Sequence, residues 1–441
     1  MFPKRRPIAV DLFAGAGGMT LGFEQAGFDV LASVEINPVH CAIHKFNFPH
    51  WSVICQSVTD ISGDEIRTKS TINNAEIDVV FGGSPCQGFS LIGKRALDDP
   101  RNALVSHFLR LVTELNPKYF VLENVKGLTI GKHRQFLAEV IAEFESHNYE
   151  VLRDYRVLNA SHYGVPQSRD RLFLIGCRQG LKLPNYPLPI TKPPKLGKNP
   201  PQEFVSLPNC PTVWDAIADL PKIENYPELM SRDFCIAEYG ECISDYARLM
   251  KGLINSSDDY SYLRVWNPQL LTSSIRTIHS LQSMERFEAT DYGKTEPISH
   301  FHKLDPNGIC NTLRAGTPSN RGAFTSPRPI HPYLPRCITV REAARLHSYP
   351  DWFRFHGTKW HGFQQVGNSV PPLLAKVVAS ELIKVLNIQP VKPQQVLSSN
   401  QEELLQLKMT EAANWFGVDR HIIELRKPRN RESLELDKQN R

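Results

Sequence analysis

The chain has 441 residues, 41% hydrophobic and 22% charged, which suits a soluble globular protein able to bury a large core over two domains and a tail. No apolar run approaches membrane-spanning length, and M-F-P-K-R-R-P-I-A-V enters a strand at once, without the apolar stretch and cleavage site of a signal peptide. The formal net charge of +5 permits a polyanionic partner without requiring one, and nine scattered cysteines with no C-x-x-C pair argue against a disulfide framework or a metal site and for a reducing, cytoplasmic compartment.

Taken in chain order, the apolar run at 8–13 (I-A-V-D-L-F) predicts a strand. It breaks into A-G-A-G-G at 14–18, and a helix is expected over 19–26, stopped by Gly27. Strand, glycine turn and helix open a nucleotide-binding α/β unit, in which glycines let backbone N–H groups approach a ligand closely. The spacing departs from G-x-G-x-x-G, so pyrophosphate is not the expected ligand. A second strand over 28–34 ends at Glu35, an acid of the type that chelates ribose hydroxyls, and Pro38 starts a helix running to about residue 46. A third strand around Val53 leads to Asp60. Asp11, Glu35 and Asp60 then read as strand-end acids around the glycine loop, suited together to an adenosine-type cofactor, although each singly, and Asp11 above all, also reads as a solvated loop acid.

A strand over 77–81 delivers F-G-G-S-P-C-Q-G-F-S at 81–90. A thiol, Cys86, held at a strand end between proline and glutamine is how a nucleophile is presented; a tight turn with cysteine as filler is the plainer alternative. The polar stretch 93–102 reads as a loop whose Lys94, Arg95 and Arg101 suit phosphates, or as a plain solvated loop. A helix is expected over 103–115, then a buried strand, Y-F-V-L-E-N-V, at 119–125 with Glu123 and Asn124 at its tip. An acid there is costly unless paired or functional. Q-S-R-D-R at 167–171 precedes a strand over 172–176, and Arg169 and Arg171, two positions apart, are expected to point to the same side. This alternation predicts a doubly wound, mainly parallel sheet up to about residue 178.

The pattern stops at the proline-rich stretch 181–211, a boundary or extended arm. Residues 212–335 are mixed, with short helices expected near 214–220 and 239–253, and 312–332 suits either a nucleic-acid groove or an irregular loop. Thr339 and Glu342 form a capping box, F-Q-Q-V-G-N-S-V-P-P at 363–372 reads as a turn, and a helix follows over 373–386. Beyond 387 a Pro/Gln/Ser linker runs to about 400. The remaining tail reads as helix-turn-helix-like or as a helical hairpin packed on the body, and 388–441 are expected to be dispensable for the catalytic fold.

These motifs, in this order, resemble those of the DNA (cytosine-5) methyltransferases of the bacterial modification type. D-L-F-A-G-A-G-G is similar to the family's cofactor loop, G-G-S-P-C-Q-G-F-S to its nucleophile loop, and E-N-V to its base-contacting strand tip. Q-S-R-D-R is similar to its paired-arginine motif, T-V-R-E-A-A-R-L to the motif after the recognition region, and Q-V-G-N-S-V-P-P to its closing motif. The resemblance covers roughly residues 7–386; the tail lies outside it. It implies an α/β fold, a doubly wound Rossmann-like S-adenosylmethionine-dependent methyltransferase domain with a smaller mixed target-recognition domain. The division would be 1–180 for catalysis and cofactor, 181–338 for target recognition, 339–386 as a return segment completing the catalytic domain, and 387–441 as linker and tail.

The resemblance also implies roles. Cys86 would add to C6 of a flipped-out cytosine, Glu123 would hydrogen-bond its N3 and exocyclic amine, and Arg171 with Arg169 would hold its O2. Phe13, Ala14, Gly15, Gly17, Glu35, Ile36, Asp60, Ile61, Pro85, Leu104, Asn368 and Ser369 would bind S-adenosyl-L-methionine. Double-stranded DNA is the implied partner of a monomeric, nucleoid-associated enzyme without a membrane attachment, working with a cognate restriction endonuclease or alone. Two alternatives stand beside this reading: a tRNA cytosine-5 methyltransferase and a catalytically dead DNA-binding regulator. The length between Arg171 and Thr339 favours duplex DNA, and the presence of Cys86, Glu123 and Arg171 argues for activity.

Overall fold

The computed structural model describes residues 3–85, 103–131, 133–195, 202–254, 256–316 and 328–423. Alternating β-branched runs and amphipathic stretches form β1 (Ile8–Leu12), α1 (Gly18–Ala26), β2 (Asp29–Glu35), α2 (Pro38–Asn47), β3 (Ser52–Cys55), α3 (Gly63–Thr68), β4 (Val79–Gly83), α4 (Ala103–Leu115) and β5 (Tyr119–Val125). Gly27 ends α1 in the left-handed region, where a side chain would be strained, and Asn37 caps α2 just before Pro38. The five strands are parallel in the order β3-β2-β1-β4-β5. The chain therefore winds outward from β1 in one direction and returns to wind outward in the other. That reversal lays the carboxyl ends of β1 and β4 side by side, with Leu12 paired to Gly82, and a crevice opens there. A Cβ on Gly82 would lie 2.2 Å from the Leu12 carbonyl oxygen, so only glycine allows this approach.

After α5 (His133–Ser146), the strands β6 (Tyr149–Val151), β7 (Arg156–Asn159) and β8 (Asp170–Arg178) complete an eight-stranded sheet. β8 runs antiparallel to β5, pairing Arg171 with Val125, and β6 and β7 pair along its other edge. The expectation of a mainly parallel sheet thus holds for five strands. The reversal of β8 has a consequence: its first residues, not its last, meet the crevice end of the sheet.

Strands covered on both faces read as continuous apolar runs. Val10, Leu12, Val80 and Leu122 pack with Phe108, Val112 and Phe144, and Phe120 stacks on Phe144 at 3.9 Å. Ala9, Val79, Phe81 and Val121 face the opposite layer, where Phe23 stacks on Phe81 at 3.7 Å.

Residues after β8 form α6 (Gln202–Val205), α7 (Val213–Ile217), β9 (Cys235–Ile236), α8 (Asp245–Met250), β10 (Leu263–Arg264), β11 (Leu270–Leu271) and α9 (Leu281–Ala289). The two expected helices are present but shorter, spanning Val213–Ile217 and Asp245–Met250. Val213, Ile217, Tyr246, Met250, Leu304 and Leu313 belong to the same core as α1 and the later helices. Arg345, fully buried, ties this region to the return segment through Asp219 at 3.0 Å and Asp351 at 2.6 Å. The region keeps small cores of its own around Leu229 and Leu271 and around Phe287 and Ile330.

The return segment is α10 (Val340–Leu346), started by the Thr339–Glu342 capping box, then α11 (Lys359–Asn368) and α12 (Pro372–Leu386). The turn expected over 363–372 is helical as far as Asn368, since Phe363 and Val366 bury one face of α11. α12 lies so close to α1 that a Cβ on Gly22 would fall 2.4 Å from Ala375 Cβ. The expected linker is pinned rather than free: Gln389 bridges to Lys4, and β12 (Val396–Leu397) pairs in parallel with β10. The tail does not stand apart from the catalytic fold. A turn at Glu402–Leu405 and α13 (Met409–Phe416) pack on α2, burying Leu404, Leu405, Ala412 and Ala413, as the packed-hairpin reading expects of its first helix. Residues 424–441, with the basic run, lie outside the described residues. None of the described helices is long and apolar enough to cross a membrane.

Candidate active site

The loop after β1 is built on left-handed backbone at Phe13 (φ 63°), Gly15 (φ 54°) and Gly17 (φ 100°). Two of these are glycines, which adopt that region freely; Phe13 is held there by its setting. Glu35 staples the loop. One carboxylate oxygen accepts the Gly15 N–H and the other the Asn37 N–H, each at 2.9 Å. Burial pushes the Glu35 carboxyl above its ordinary pKa, and these backbone donors pull it back. A Cβ on Gly17 would meet the Phe48 ring at 2.4 Å, and one on Gly18 would meet the Val370 carbonyl at 2.6 Å. A Cβ on Gly15 would meet no atom of the described residues within 4 Å, so these leave the space above it open.

The closing motif borders the same loop. Asn368 is exposed and Ser369 half-buried beside Gly18. Ala14 is buried, its N–H on the Val34 carbonyl at 3.1 Å, and Ile36 is half-buried after Glu35. Pro85 is exposed and Leu104 half-buried against the core.

Two expectations change. Asp11 is buried and accepts the Thr20 hydroxyl at 2.5 Å, so it is a structural acid, and burial raises its pKa well above the ordinary carboxylate value. Asp60 is not at a strand end: β3 stops at Cys55, and Asp60 is exposed on the following turn, accepting the Thr59 hydroxyl. Ile61 is buried in the cluster against which Phe13 and Leu104 also pack, and Arg110 anchors its turn by donating to the Val58 and Ile61 carbonyls.

At the tip of β5, Glu123 pairs in register with Gly83 of β4. A Cβ on Gly83 would fall 2.5 Å from Glu123 Oε2, so the glycine makes room for the acid. Glu123 Oε1 meets Arg171 Nε at 2.7 Å, with both side chains largely buried. Burial lifts the Glu123 pKa above its ordinary value, and Arg171 and Arg169 draw it back without cancelling the rise.

Arg169 differs from its expected role. It is fully buried and donates to the carbonyls of Leu313 at 2.7 Å, Gly367 at 2.8 Å and Ser369 at 2.7 Å. Those bonds tie the β8 start to the closing motif and the 312–315 segment, making Arg169 a positioning residue behind the pair rather than a group that reaches a base. Gln167 completes the tie, donating to the Leu346 carbonyl and facing His347, while its amide oxygen accepts the Leu313 N–H. No residue-type pattern singles out Gln167, since its partners lie some 150 to 180 positions away.

Asn124 works on the other side. Its amide donates to the Ser84 hydroxyl at 3.0 Å and to the Ser84 carbonyl at 3.3 Å, fixing the backbone two residues before Cys86. Cys86 itself lies outside the described residues, as do Lys94, Arg95 and Arg101 and residues 317–327 of the expected groove-reading segment. Of that segment's described part, Thr312 bonds the Ser168 carbonyl, and Gly367 packs on the backbone of Arg314 and Ala315.

The chain is 56% identical over 438 residues to the type II methyltransferase M.XorII of Xanthomonas oryzae pv. oryzae, covering 98% of this chain and 99% of that relative. It is 33% identical to the type II methyltransferase M.DdeI of Desulfomicrobium norvegicum, covering 85% and 88%. A crystal structure described as a DNA modification methyltransferase encoded within an E. coli prophage superposes with a TM-score of 0.67 at 33% identity, covering 86% of this chain and 99% of that one. The family model for the C-5 cytosine-specific DNA methylases matches residues 8–384, from the first residue of β1 into the last turn of α12, and the chain belongs to that family.

Proposed function

We propose that this chain transfers the methyl group of S-adenosyl-L-methionine to C5 of a cytosine within one double-stranded DNA sequence, as the modification enzyme of a restriction–modification system. The observation that carries the reading is convergence at one crevice. The glycine loop stapled by Glu35, the strand end leading to Cys86, and the buried Glu123–Arg171 pair lie together where β1, β4, β5 and the start of β8 meet. Open space over Gly15, the Glu35 acid and the exposed amide of Asn368 suit a cationic adenosine-bearing cofactor. When bound, S-adenosylmethionine supplies an electrophilic methyl group.

Cytosine C5 is a poor nucleophile, and the chain's own residues answer that problem. The Cys86 thiolate adds to C6, making C5 enamine-like; once C5 carries the methyl, loss of its proton and elimination of the thiolate restore the ring. Glu123, whose pKa is raised by burial, holds a proton at the ring N3 and faces the exocyclic amine. Arg171 uses Nε on Glu123 and one terminal nitrogen on the Asp170 carbonyl, leaving its other terminal nitrogen for the base O2. Asn124 holds the nucleophile loop through Ser84, and Arg169 holds the closing motif. The base is flipped from the duplex at a cost of a few kcal/mol, repaid by contacts from residues 181–338. Residues 1–180 and 339–386 form the catalytic body, and the enzyme acts as a monomer whose partner is an endonuclease of the same sequence specificity.

Incubating the protein with plasmid DNA and labelled S-adenosylmethionine, followed by bisulfite sequencing, tests the activity and reads the target. An oligonucleotide bearing 5-fluorocytosine at that target should trap a covalent complex, because fluorine cannot leave as a cation. Cys86→Ser should lose both transfer and trapping while still binding cofactor. Transfer at the wild-type rate by Cys86→Ser would overturn the covalent step.

A further inference from the structure

The family match ends at residue 384, yet residues 402–416 are packed against the cofactor side of the molecule. Leu405, 2% exposed, sits in a cluster with Ala16 of the glycine loop and with Ile43 and Phe46 of α2. The same α2 carries His44, whose Nδ1 faces the Gly15 carbonyl at 3.3 Å. A second line of contact runs through the turn after α10. Leu405 accepts the Gly357 N–H at 2.8 Å, and the Leu407 carbonyl faces His356 Nε2 at 3.1 Å. The His356 ring lies 4.7 Å from that of His361, Gln364 contacts both His361 and His40, and His40 Nδ1 is 3.8 Å from Glu35. A Cβ on Gly357 would fall 2.1 Å from the Gln406 side-chain amide nitrogen, so the tail packs a side chain directly on this turn. Both lines end on the two residues that shape the loop, Gly15 and Glu35.

We propose that residues 402–416 are a brace that sets the glycine-loop geometry, so that docking of the tail and binding of the cofactor favour each other. The proposal rests on the reading of that loop as the S-adenosylmethionine site. Leu405 is the central positioning residue: it touches no reacting atom and acts through Ala16 and α2. Coupling of this kind is reciprocal, so the cofactor must also tighten the tail.

The test uses the full chain. In Leu405→Ala the dissociation constant for S-adenosylhomocysteine, by calorimetry, and the KM for S-adenosylmethionine should both rise roughly 5- to 30-fold, while kcat at saturating cofactor stays near that of the wild type. Leu405→Met, which keeps the volume, should restore both. A filler role would instead lower the active fraction and leave the affinity of the remainder unchanged, and that result overturns the proposal. In the wild type, S-adenosylhomocysteine should slow amide exchange over 409–418; unchanged exchange overturns it independently of any variant. Glu35→Ala separates the two levels. If the wild type binds and Glu35→Ala binds equally well, the site reading has failed. If Glu35→Ala loses binding and Leu405→Ala does not, only the brace has failed.

Discussion

Glu123→Gln isolates the chemistry of one acid from its place in the fold. The substitution keeps the volume beside Gly83 and removes the charge that faces Arg171 at 2.7 Å. Its effect on stability follows from the direction of the pKa shift. Burial raises the Glu123 pKa in the folded protein, so the fold binds this proton more readily than the unfolded chain does. The ionised acid therefore destabilises the fold above its raised pKa, and that penalty fades as pH falls toward the unfolded glutamate value of about 4.3. Glutamine mimics the protonated form, so Glu123→Gln should be at least as stable as the wild type at neutral pH, with the difference closing in acid. Catalysis should move the other way. An amide cannot hold and return the N3 proton, and loss of a positioned acid–base group slows a reaction by roughly 10²- to 10⁴-fold, about 3–5 kcal/mol of barrier. Single-turnover methyl transfer and urea midpoints at acid and neutral pH measure the two effects separately. A rate within about threefold of the wild type, or a clear loss of stability at neutral pH, would refute the assignment of Glu123 as a proton-holding acid.

Three further outcomes are expected. Asn124→Ala removes the donors on Ser84 and should lower the single-turnover rate about tenfold, in line with about 1–1.5 kcal/mol per buried hydrogen bond, with cofactor affinity measured by calorimetry unchanged. Asp219→Ala leaves the fully buried Arg345 with one of its two carboxylate partners and should cost about 3–5 kcal/mol in urea unfolding; a loss below about 1 kcal/mol would match an exposed pair instead. Burial holds His40, His44, His331 and His356 near a pKa of about 4, below the unfolded value. The unfolded chain then takes up protons first, so the stability is full above about pH 6.5 and is lost as pH falls toward 4. A thermal midpoint that does not drop across that window would contradict the burial of these neutral rings.

Local chemistry alone determined much of this protein. Runs such as I-A-V-D-L-F and Y-F-V-L-E-N-V can bury both faces only as sheet interior, and the strand after each glycine or proline signal is where those residues require it. The span of α4 and the Thr339 capping box follow from side-chain periodicity and hydrogen-bonding chemistry within a few residues. The glycine loop, Glu35 and Glu123 were legible for the same reason: each stands out within its own segment. The tertiary structure decided what depends on partners far along the chain. Arg169 and Arg171 are alike in sequence, yet one is enclosed by carbonyls from residues 313, 367 and 369 and the other faces Glu123. Asp60 stands on a turn rather than at a strand end, and Arg110 of α4 holds that turn through the Val58 and Ile61 carbonyls. The tail, polar and weakly patterned, reads as separable until Leu405 is seen filling the space behind Ala16. A side chain's role is set by which groups surround it in space, and at these positions those groups are contributed by segments that no local pattern connects.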